Sequence, residues 1–279
     1  MTTNGSSRKW IEEHPYLEGV AGFQALVEEA LKGIAPVAAR TDWAAYAPDR
    51  ARGVPLLQSE RAGIDVVPAA GEALLRVAER VAAADVPDAI RGPARGLADA
   101  LQCRPAERGR AVRWVLEGGA PAEAPGGNPG LLRYLGWNAL AYVLAPVVAE
   151  VSARTDDAWE RGECPTCGAA PAMGLLVDDG TDRARHLSCG CCRTRWRFKR
   201  VACPFCGNED ARKLGVLEID REPALRLDVC DACKGYVKTC TGAGDEAFLL
   251  ADWPTLHLDV LARDRGYERR GASLFELDG

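Results

Sequence analysis

Apolar residues in the first half of the chain recur at intervals of three and four, which is the period of an amphipathic helix. One such face comprises Leu74, Val77, Ala78 and Val81. The pattern predicts helices over residues 17–39, 69–84, 88–102, 105–117 and 129–152. The last is the most apolar, so we place it at the centre of a bundle and expect Pro146 to kink it. Residues 1–160 are therefore predicted to form an all-α domain.

Proline and asparagine mark helix boundaries in this half. Pro105 and Pro129 each suit the first turn of a helix, where the missing backbone N–H has no partner to lose. Asn128 suits the capping position before the second of these helices. Residues 118–128 lie between the two helices and are rich in Gly, Pro and Ala without periodicity, so we interpret them as a loop.

Composition places the chain among globular proteins. Its 279 residues are 47% hydrophobic and 27% charged, enough for about two domains. A net charge of −5 argues against a surface built to coat nucleic acid. The longest uncharged apolar stretch, 134–149, contains Asn138 and Pro146, so no membrane insertion is expected. Because the amino terminus lacks the apolar core of a secretory signal, we expect a cytoplasmic protein.

Cysteines are concentrated in the second half of the chain. Ten of the eleven lie between Cys164 and Cys240, and eight of these form four Cys-x-x-Cys pairs: Cys164/Cys167, Cys189/Cys192, Cys203/Cys206 and Cys230/Cys233. Two intervening residues allow one tight turn to direct both sulfurs at a single ion, so each pair supplies half of a tetrahedral site. Four thiolates suit iron or zinc, and the sequence does not separate the two metals. We predict two metal ions per chain, each in a closed four-cysteine site.

The spacing of the pairs favours two consecutive modules. A Cys-Pro-x-Cys-Gly motif opens at Cys164 and again 39 residues later at Cys203, and each motif is followed by a hairpin that returns to the next pair. The predicted hairpin strands are 173–177 with 185–188, joined by a turn at 178–180, and 214–220 with 224–229. Pairing is then sequential, although a cross-braced arrangement of first with third and second with fourth pairs also fits the spacing.

The overall prediction is an α+β protein. The helical domain, 1–160, precedes two rubredoxin-like or zinc-ribbon-like β modules at 161–201 and 202–245, and a short C-terminal helix and tail occupy 246–279. Each module is too small to fold on a hydrophobic core alone, so the metal would supply folding free energy on the order of 10 kcal/mol.

The remaining reactive side chains are interpreted as structural. His186, Cys191 and Cys240 are surplus ligands, His14 is a loop histidine, and Cys103 is a core thiol. A closed four-sulfur site leaves no open position for a substrate. With no nucleotide-binding glycine motif either, we expect no enzymatic activity.

One segment is basic in an otherwise acidic chain. Seven Lys or Arg and no acidic residue lie within 183–200. Residues 193–199 alternate, which predicts a strand with Thr194, Trp196 and Phe198 on one face and four bases on the other: Arg193, Arg195, Arg197 and Lys199. The cationic face is either a solvated surface or a docking stripe for a partner protein.

The second half resembles the formate dehydrogenase accessory protein family, often called FdhE. The resemblance rests on the residues around the cysteine pairs: Arg185 to Cys189, Trp196, Arg200 to Cys203, Tyr236 to Lys238, and the tail at 253–267. It implies a cytoplasmic, non-enzymatic maturation factor that binds the catalytic subunit of a respiratory formate dehydrogenase before export, with iron or zinc in rubredoxin-like sites. Cys191, inside the second pair, departs from the plain pattern.

Two other classes of function compete with a maturation factor. A zinc-ribbon nucleic-acid-binding protein would use the basic segment, and salt-dependent retention on DNA would reveal it. A rubredoxin-like electron-transfer protein would hold iron in the same cages, and reversible bleaching of a thiolate-to-iron absorption band would reveal it.

Overall fold

The computed structural model describes residues 5–37, 41–154, 159–178, 183–241, 246–271 and 273–274. The α-helices in these ranges are α1 (Gly5–Glu13), α2 (Glu18–Leu31), α3 (Trp43–Ala51), α4 (Val67–Ala82), α5 (Asp88–Cys103), α6 (Pro105–Glu117), α7 (Pro129–Val143), α8 (Ala145–Ser152), α9 (Glu246–Leu249) and α10 (Leu256–Asp264). The strands are β1 (Pro171–Asp178), β2 (Arg183–Cys189), β3 (Arg195–Phe198), β4 (Leu214–Glu218), β5 (Leu225–Cys230), β6 (Gly235–Cys240) and β7 (Glu268–Arg269). The predicted α+β class is confirmed.

Helix α4 is the centre of the helical region, because it packs against α2, α5, α6 and α7. Its buried face contains the predicted residues Leu74, Val77, Ala78 and Val81, each at most 1% exposed. Helix α7 packs against α2, α4, α5 and α6, so it shares the central position that we predicted for it. The bend that we predicted at Pro146 occurs at Leu144, where α7 and α8 meet at 64°. Pro146 lies in the first turn of α8, where its missing N–H is tolerated.

Helix termini agree with the sequence signals except at one helix. The Asn128 side chain accepts a hydrogen bond from the Leu131 N–H at 2.9 Å, so the predicted cap is confirmed. Helix α2, however, ends at Leu31 rather than at 39, because Gly33 adopts a left-handed φ of 79°. Within the 118–128 connector, Pro121–Glu123 form a single 3-10 turn. The short helices α1 and α3 were not predicted.

No single helix in the described part of the chain is long and apolar enough to cross a membrane; the bent α7–α8 pair meets the length and composition test jointly.

All seven described strands belong to one sheet, in the order β3-β2-β1-β6-β5-β4 with β7 beside β6. Strands β1–β3 and β4–β6 each form an antiparallel meander, and the two predicted hairpins correspond to β1–β2 and β4–β5. The predicted turn at 178–180 extends outside the described residues. The unexpected feature is the parallel pairing of β1 with β6, which joins the two modules into a continuous sheet.

A glycine permits this junction. Gly174 of β1 pairs with Thr239 of β6, and a Cβ atom at Gly174 would lie 2.6 Å from the Thr239 Oγ1 atom. Any larger residue would push the strands apart at the centre of the sheet.

A buried ion network attaches the C-terminal segment to the sheet. Lys238 of β6 is 1% exposed, and its Nζ atom lies 2.6 Å from Asp252 Oδ1 and 2.8 Å from Asp259 Oδ2. Arg269 pairs with the same two carboxylates at 2.8 and 2.7 Å. The Tyr236 hydroxyl donates to Asp259 at 2.6 Å. The network is electrically balanced, with two cations and two anions.

Candidate metal centres

All four Cys-x-x-Cys pairs share one backbone feature, which is a left-handed residue directly after the second cysteine. These residues are Gly168 (φ 83°), Arg193 (64°), Gly207 (71°) and Lys234 (57°). In the first three pairs the N–H of this residue donates to the carbonyl of the first cysteine, at 2.9, 3.2 and 3.0 Å respectively. Each loop therefore turns back so that both thiols lie on one side. Glycine indicated this turn in two pairs, whereas Arg193 and Lys234 carried no such signal.

The first cluster comprises Cys164, Cys167, Cys189 and Cys192, whose sulfurs all lie within 4.8 Å of one another. The Cys164–Cys192 and Cys167–Cys189 Sγ distances are both 3.5 Å. A tetrahedral ion with metal–sulfur bonds of about 2.3 Å places its ligands about 3.8 Å apart. The four thiols therefore fit one tetrahedral ion.

The second cluster comprises Cys203, Cys206, Cys230 and Cys233, again within 4.8 Å of one another. Its Cys203–Cys233 and Cys206–Cys230 Sγ distances are 3.7 and 3.8 Å, which match the tetrahedral edge. The structure thus brings together the first two pairs and the last two pairs, which is the sequential arrangement rather than the cross-braced one. Each cluster can hold a metal ion, and four thiolates suit iron and zinc alike.

The two clusters differ in their surroundings. All four thiols of the first cluster are buried, and they pack into the same core as the helices. The Leu56 and Leu57 N–H groups donate to the carbonyls of Pro165 and Thr166 at 2.8 and 2.9 Å, so the helical region contacts the first cysteine loop directly. In the second cluster, Cys206 is exposed and Cys233 is half-buried. Solvent therefore reaches the second cluster far more readily than the first.

Threonine hydroxyls support the first cluster. Thr194 Oγ1 lies 3.1 Å from the Cys192 sulfur and 2.7 Å from Thr166 Oγ1, and both threonines are fully buried. A hydroxyl near a thiolate stabilises its negative charge and orients it. In the sequence, Thr194 belongs only to the predicted apolar face of a strand, and no residue pattern indicates this contact.

The surplus thiols occupy different environments. Cys191 is buried beside Cys167, and Cys240 is buried in β6 within the core of the second module. The prediction that Cys103 is a core thiol is wrong, because this residue ends α5 and is exposed.

His186 lies on β2 and belongs to neither set of four sulfurs. Burial lowers the pKa of its imidazole, and the neighbouring Arg197 and Arg195 lower it further.

The four bases of the predicted stripe do not share one face. Arg195 and Arg197 lie on β3, an edge strand, and Trp196 and Phe198 alternate with them as buried residues, as expected. Lys199 follows the strand and pairs with Glu209 at 3.0 Å. Arg193, by contrast, belongs to the left-handed turn of its cysteine loop and lines a cleft beside α2 and α7. The strand begins only after this turn, which is why Arg193 departs from the alternation.

Comparison with known proteins finds a family match in the segment that contains the first cluster. The family model described as "FdhE, central domain" matches residues 163–200, which contain the first cluster. The chain is 34% identical over 120 residues to a Protein FdhE homolog of Stutzerimonas stutzeri, covering 42% of this chain and 39% of that protein. It is 30% identical over 148 residues to Protein FdhE of Escherichia coli, covering 51% and 47%. The matched parts thus span less than half the length of these curated relatives.

A solved structure shares the fold over almost the whole chain. The crystal structure of the FdhE protein from Pseudomonas aeruginosa aligns with a TM-score of 0.67, covering 97% of this chain and 93% of that one at 23% identity. The similarity in fold therefore includes the helical region, where the sequence carried little family signal. The central-domain match, the FdhE homologues and this common fold all indicate that the chain is similar to the FdhE family.

Proposed function

We propose that this protein is a cytoplasmic maturation factor for a respiratory formate dehydrogenase, which binds the catalytic subunit of that enzyme and catalyses no reaction itself. The observation that carries the proposal is the pair of four-cysteine clusters within one sheet, in a chain whose residues 163–200 match the FdhE central-domain model. Four sulfurs around one ion leave no coordination position for a substrate. The clusters are therefore best suited to fixing the shape of a binding surface.

The metals would act by holding the cysteine loops in place. Each cluster is formed by the loop before the first strand of a meander and the loop between its second and third strands, so an ion bound there ties these two loops together. In the first cluster the same loop also accepts hydrogen bonds from Leu56 and Leu57. Metal binding there would therefore fix the sheet against the helical region, whereas the second ion would fix only its own module.

The docking surface that we propose is the exposed side of β3. Arg197 is exposed, and Arg195 is half-exposed and 3.6 Å from Glu246. Arginines on a strand edge supply bidentate contacts to carboxylates of a partner. Basic residues at a sheet edge also prevent unwanted pairing with other strands, and that role would need no partner. A binding experiment separates the two roles.

The test uses the full chain as bait for the formate dehydrogenase catalytic subunit produced in the same cells, with metal content measured on the recovered complex. The proposal predicts capture of the subunit, and loss of capture in Arg195→Glu/Arg197→Glu with unchanged metal content. The matched control is Arg76→Glu/Arg80→Glu, two exposed arginines on α4, which should bind as the wild type does. Absence of capture by the wild-type chain would refute the proposed function. Equal capture by both double variants would refute only the docking surface.

Electron transfer is the second candidate, and the exposure of Cys206 favours it, because an electron-transfer centre must lie near the surface. A chain that is purified with iron and bleaches reversibly on reduction, yet captures no dehydrogenase subunit, would favour this function over the maturation role.

A further inference from the structure

Three residues that are distant in sequence meet where the end of α1, the β4–β5 turn and the start of α10 come together. His14 follows α1, Glu222 lies in the β4–β5 turn, and His257 lies in the first turn of α10. One ligand atom from each lies within 4.8 Å of the other two. The three side chains are 15–21% exposed, so they are sheltered and still accessible to a small ion.

The carboxylate of Glu222 lies between the two imidazoles and uses a different oxygen for each. His14 Nε2 is 3.1 Å from Glu222 Oε1, and His257 Nε2 is 2.8 Å from Glu222 Oε2. The two rings are stacked with centroids 5.2 Å apart, and the Trp10 ring stacks on His14 with centroids 4.4 Å apart. Both Nε2 atoms thus contact the Glu222 carboxylate.

The outer nitrogen of each ring has a partner that fixes its orientation. His14 Nδ1 lies 2.9 Å from the Trp10 carbonyl oxygen, and His257 Nδ1 lies 3.0 Å from the Tyr16 hydroxyl. A carbonyl oxygen only accepts, so His14 must carry a hydrogen on Nδ1. Metal-binding histidines show this pattern, in which the nitrogen away from the ion donates to a carbonyl, carboxylate or similar oxygen.

The hydrogen on His14 Nδ1 determines what the ring presents to Glu222 at Nε2. A neutral His14 with its hydrogen on Nδ1 presents a lone pair at Nε2, and an ionised Glu222 presents another at Oε1. Two acceptors at 3.1 Å repel one another unless a cation lies between them or the ring takes a second proton. Ligands of a tetrahedral zinc ion at about 2.0–2.2 Å lie roughly 3.3–3.6 Å apart. The observed nitrogen–oxygen distances of 3.1 and 2.8 Å are shorter, so the side chains would separate slightly to admit the ion.

We propose that His14, Glu222 and His257 form a third metal site, which binds Zn²⁺ or a similar first-row divalent ion through two imidazole nitrogens and one carboxylate. Two nitrogens and one oxygen are ligands that such ions accept readily. The three ligands come from the N-terminal segment, the second module and the C-terminal helix. The ion would therefore fasten the N-terminal helix to the sheet region, next to the hydrogen bond from Trp10 Nε1 to the Pro254 carbonyl.

The first test measures bound zinc by elemental analysis after equilibration of the full chain with Zn²⁺ and removal of the free ion. His14→Ala and Glu222→Gln should each bind one equivalent less than the wild type. His186→Gln is the matched control, because it removes the one other histidine of the chain and should bind as much as the wild type. The comparison is a difference between variants, so it does not depend on what the cysteine clusters hold. Equal zinc in all variants would overturn the proposal.

The second test needs no variant, so it remains decisive if a substitution prevents folding. The chain has three histidines, whose ring nitrogens can be followed individually by ¹H–¹⁵N NMR. Addition of Zn²⁺ should leave His14 and His257 with hydrogen on Nδ1 alone and should shift both Nε2 resonances, while His186 is unchanged. If the His14 ring keeps hydrogens on both nitrogens and does not change on adding Zn²⁺, the proposal is overturned. The contact would then be an ion pair between a protonated His14 and the Glu222 carboxylate. Neither outcome bears on dehydrogenase binding, so this proposal and the proposed function can fail separately.

Discussion

Replacing Lys238 by methionine is expected to lower the free energy of unfolding by about 3 kcal/mol. The ammonium group is enclosed, with the side chain 0% exposed, and it lies within 2.8 Å of both Asp252 and Asp259. Methionine retains most of the side-chain volume, so the loss is electrostatic rather than steric. The change leaves two buried carboxylates facing a single cation, Arg269.

The magnitude follows from what remains around those carboxylates. Breaking a buried ion pair by removing one partner costs about 3–5 kcal/mol. Here Arg269 still contacts both carboxylates, at 2.8 and 2.7 Å, and Ser273 donates to Asp252 at 2.8 Å. These remaining donors place the expected loss near the lower end of that range.

Urea unfolding of the metal-loaded protein, followed by tryptophan fluorescence, measures the loss. Lys9→Met is the control, because its Nζ lies 3.7 Å from Glu13 with 76% of the lysine side chain exposed; it should change stability by less than about 0.5 kcal/mol. The double variant Lys238→Met/Asp259→Asn should recover part of the loss, since it restores the charge balance. A Lys238→Met protein within about 1 kcal/mol of the wild type would refute the assignment of this network as a stabilising unit.

The remaining predictions concern the clusters and the same ion network. A chelator should remove metal from the exposed second cluster before the buried first one, as followed with a metal-responsive dye. Cys206→Ser should therefore abolish the fast phase of metal release, and Cys167→Ser the slow phase. If Cys167→Ser abolished the fast phase instead, burial would not control the rate of release. Arg193→Gly should be neutral or stabilising by up to about 1.5 kcal/mol in thermal unfolding. A left-handed backbone costs a non-glycine residue about 1–2 kcal/mol, whereas glycine loses about 0.5–1 kcal/mol through its own flexibility. Burial opposes ionisation of Asp252, but Arg269 and Lys238 outweigh it and lower its pKa. The stabilisation that ionised Asp252 contributes should therefore be complete above about pH 4 and lost as the pH falls below that value. In a plot of the free energy of unfolding against pH, Asp252→Asn should lose stability less steeply with acid than the wild type. Equal slopes for the two proteins would contradict this prediction.

Local features of this molecule could be predicted from its sequence. Helices α4, α5 and α6 follow from apolar periodicity, with Pro105 marking the first turn of α6, and both hairpins follow from the intervals between cysteine pairs. Each depends on residues that are close along the chain. Helix α2 was predicted too long because its apolar pattern continues past Gly33, whose positive φ ends the helix.

Features that depend on distant contacts could not be predicted. Nothing in the sequence around Lys238 indicates burial. Only the folded C-terminal segment places the two carboxylates of Asp252 and Asp259 around its ammonium group. Arg193 fitted an alternating strand because its left-handed turn leaves no mark in the residue types. His14 was interpreted as a loop histidine, and it does lie in a loop, but its partner Glu222 is 208 positions away.

The parallel pairing of β1 with β6 sets an order of events during synthesis. Met173 pairs with Lys238, 65 positions later, whereas the first four-cysteine cluster is complete once Cys192 has been made. Closing a long chain segment is entropically costly and slows folding. On the ribosome, the first meander can therefore assemble around its thiols while the inner edge of β1 is still unpaired. Until β6 emerges, the unpaired N–H and C=O groups of that edge can pair with another exposed strand. The nascent chain is therefore vulnerable to incorrect strand pairing during this interval.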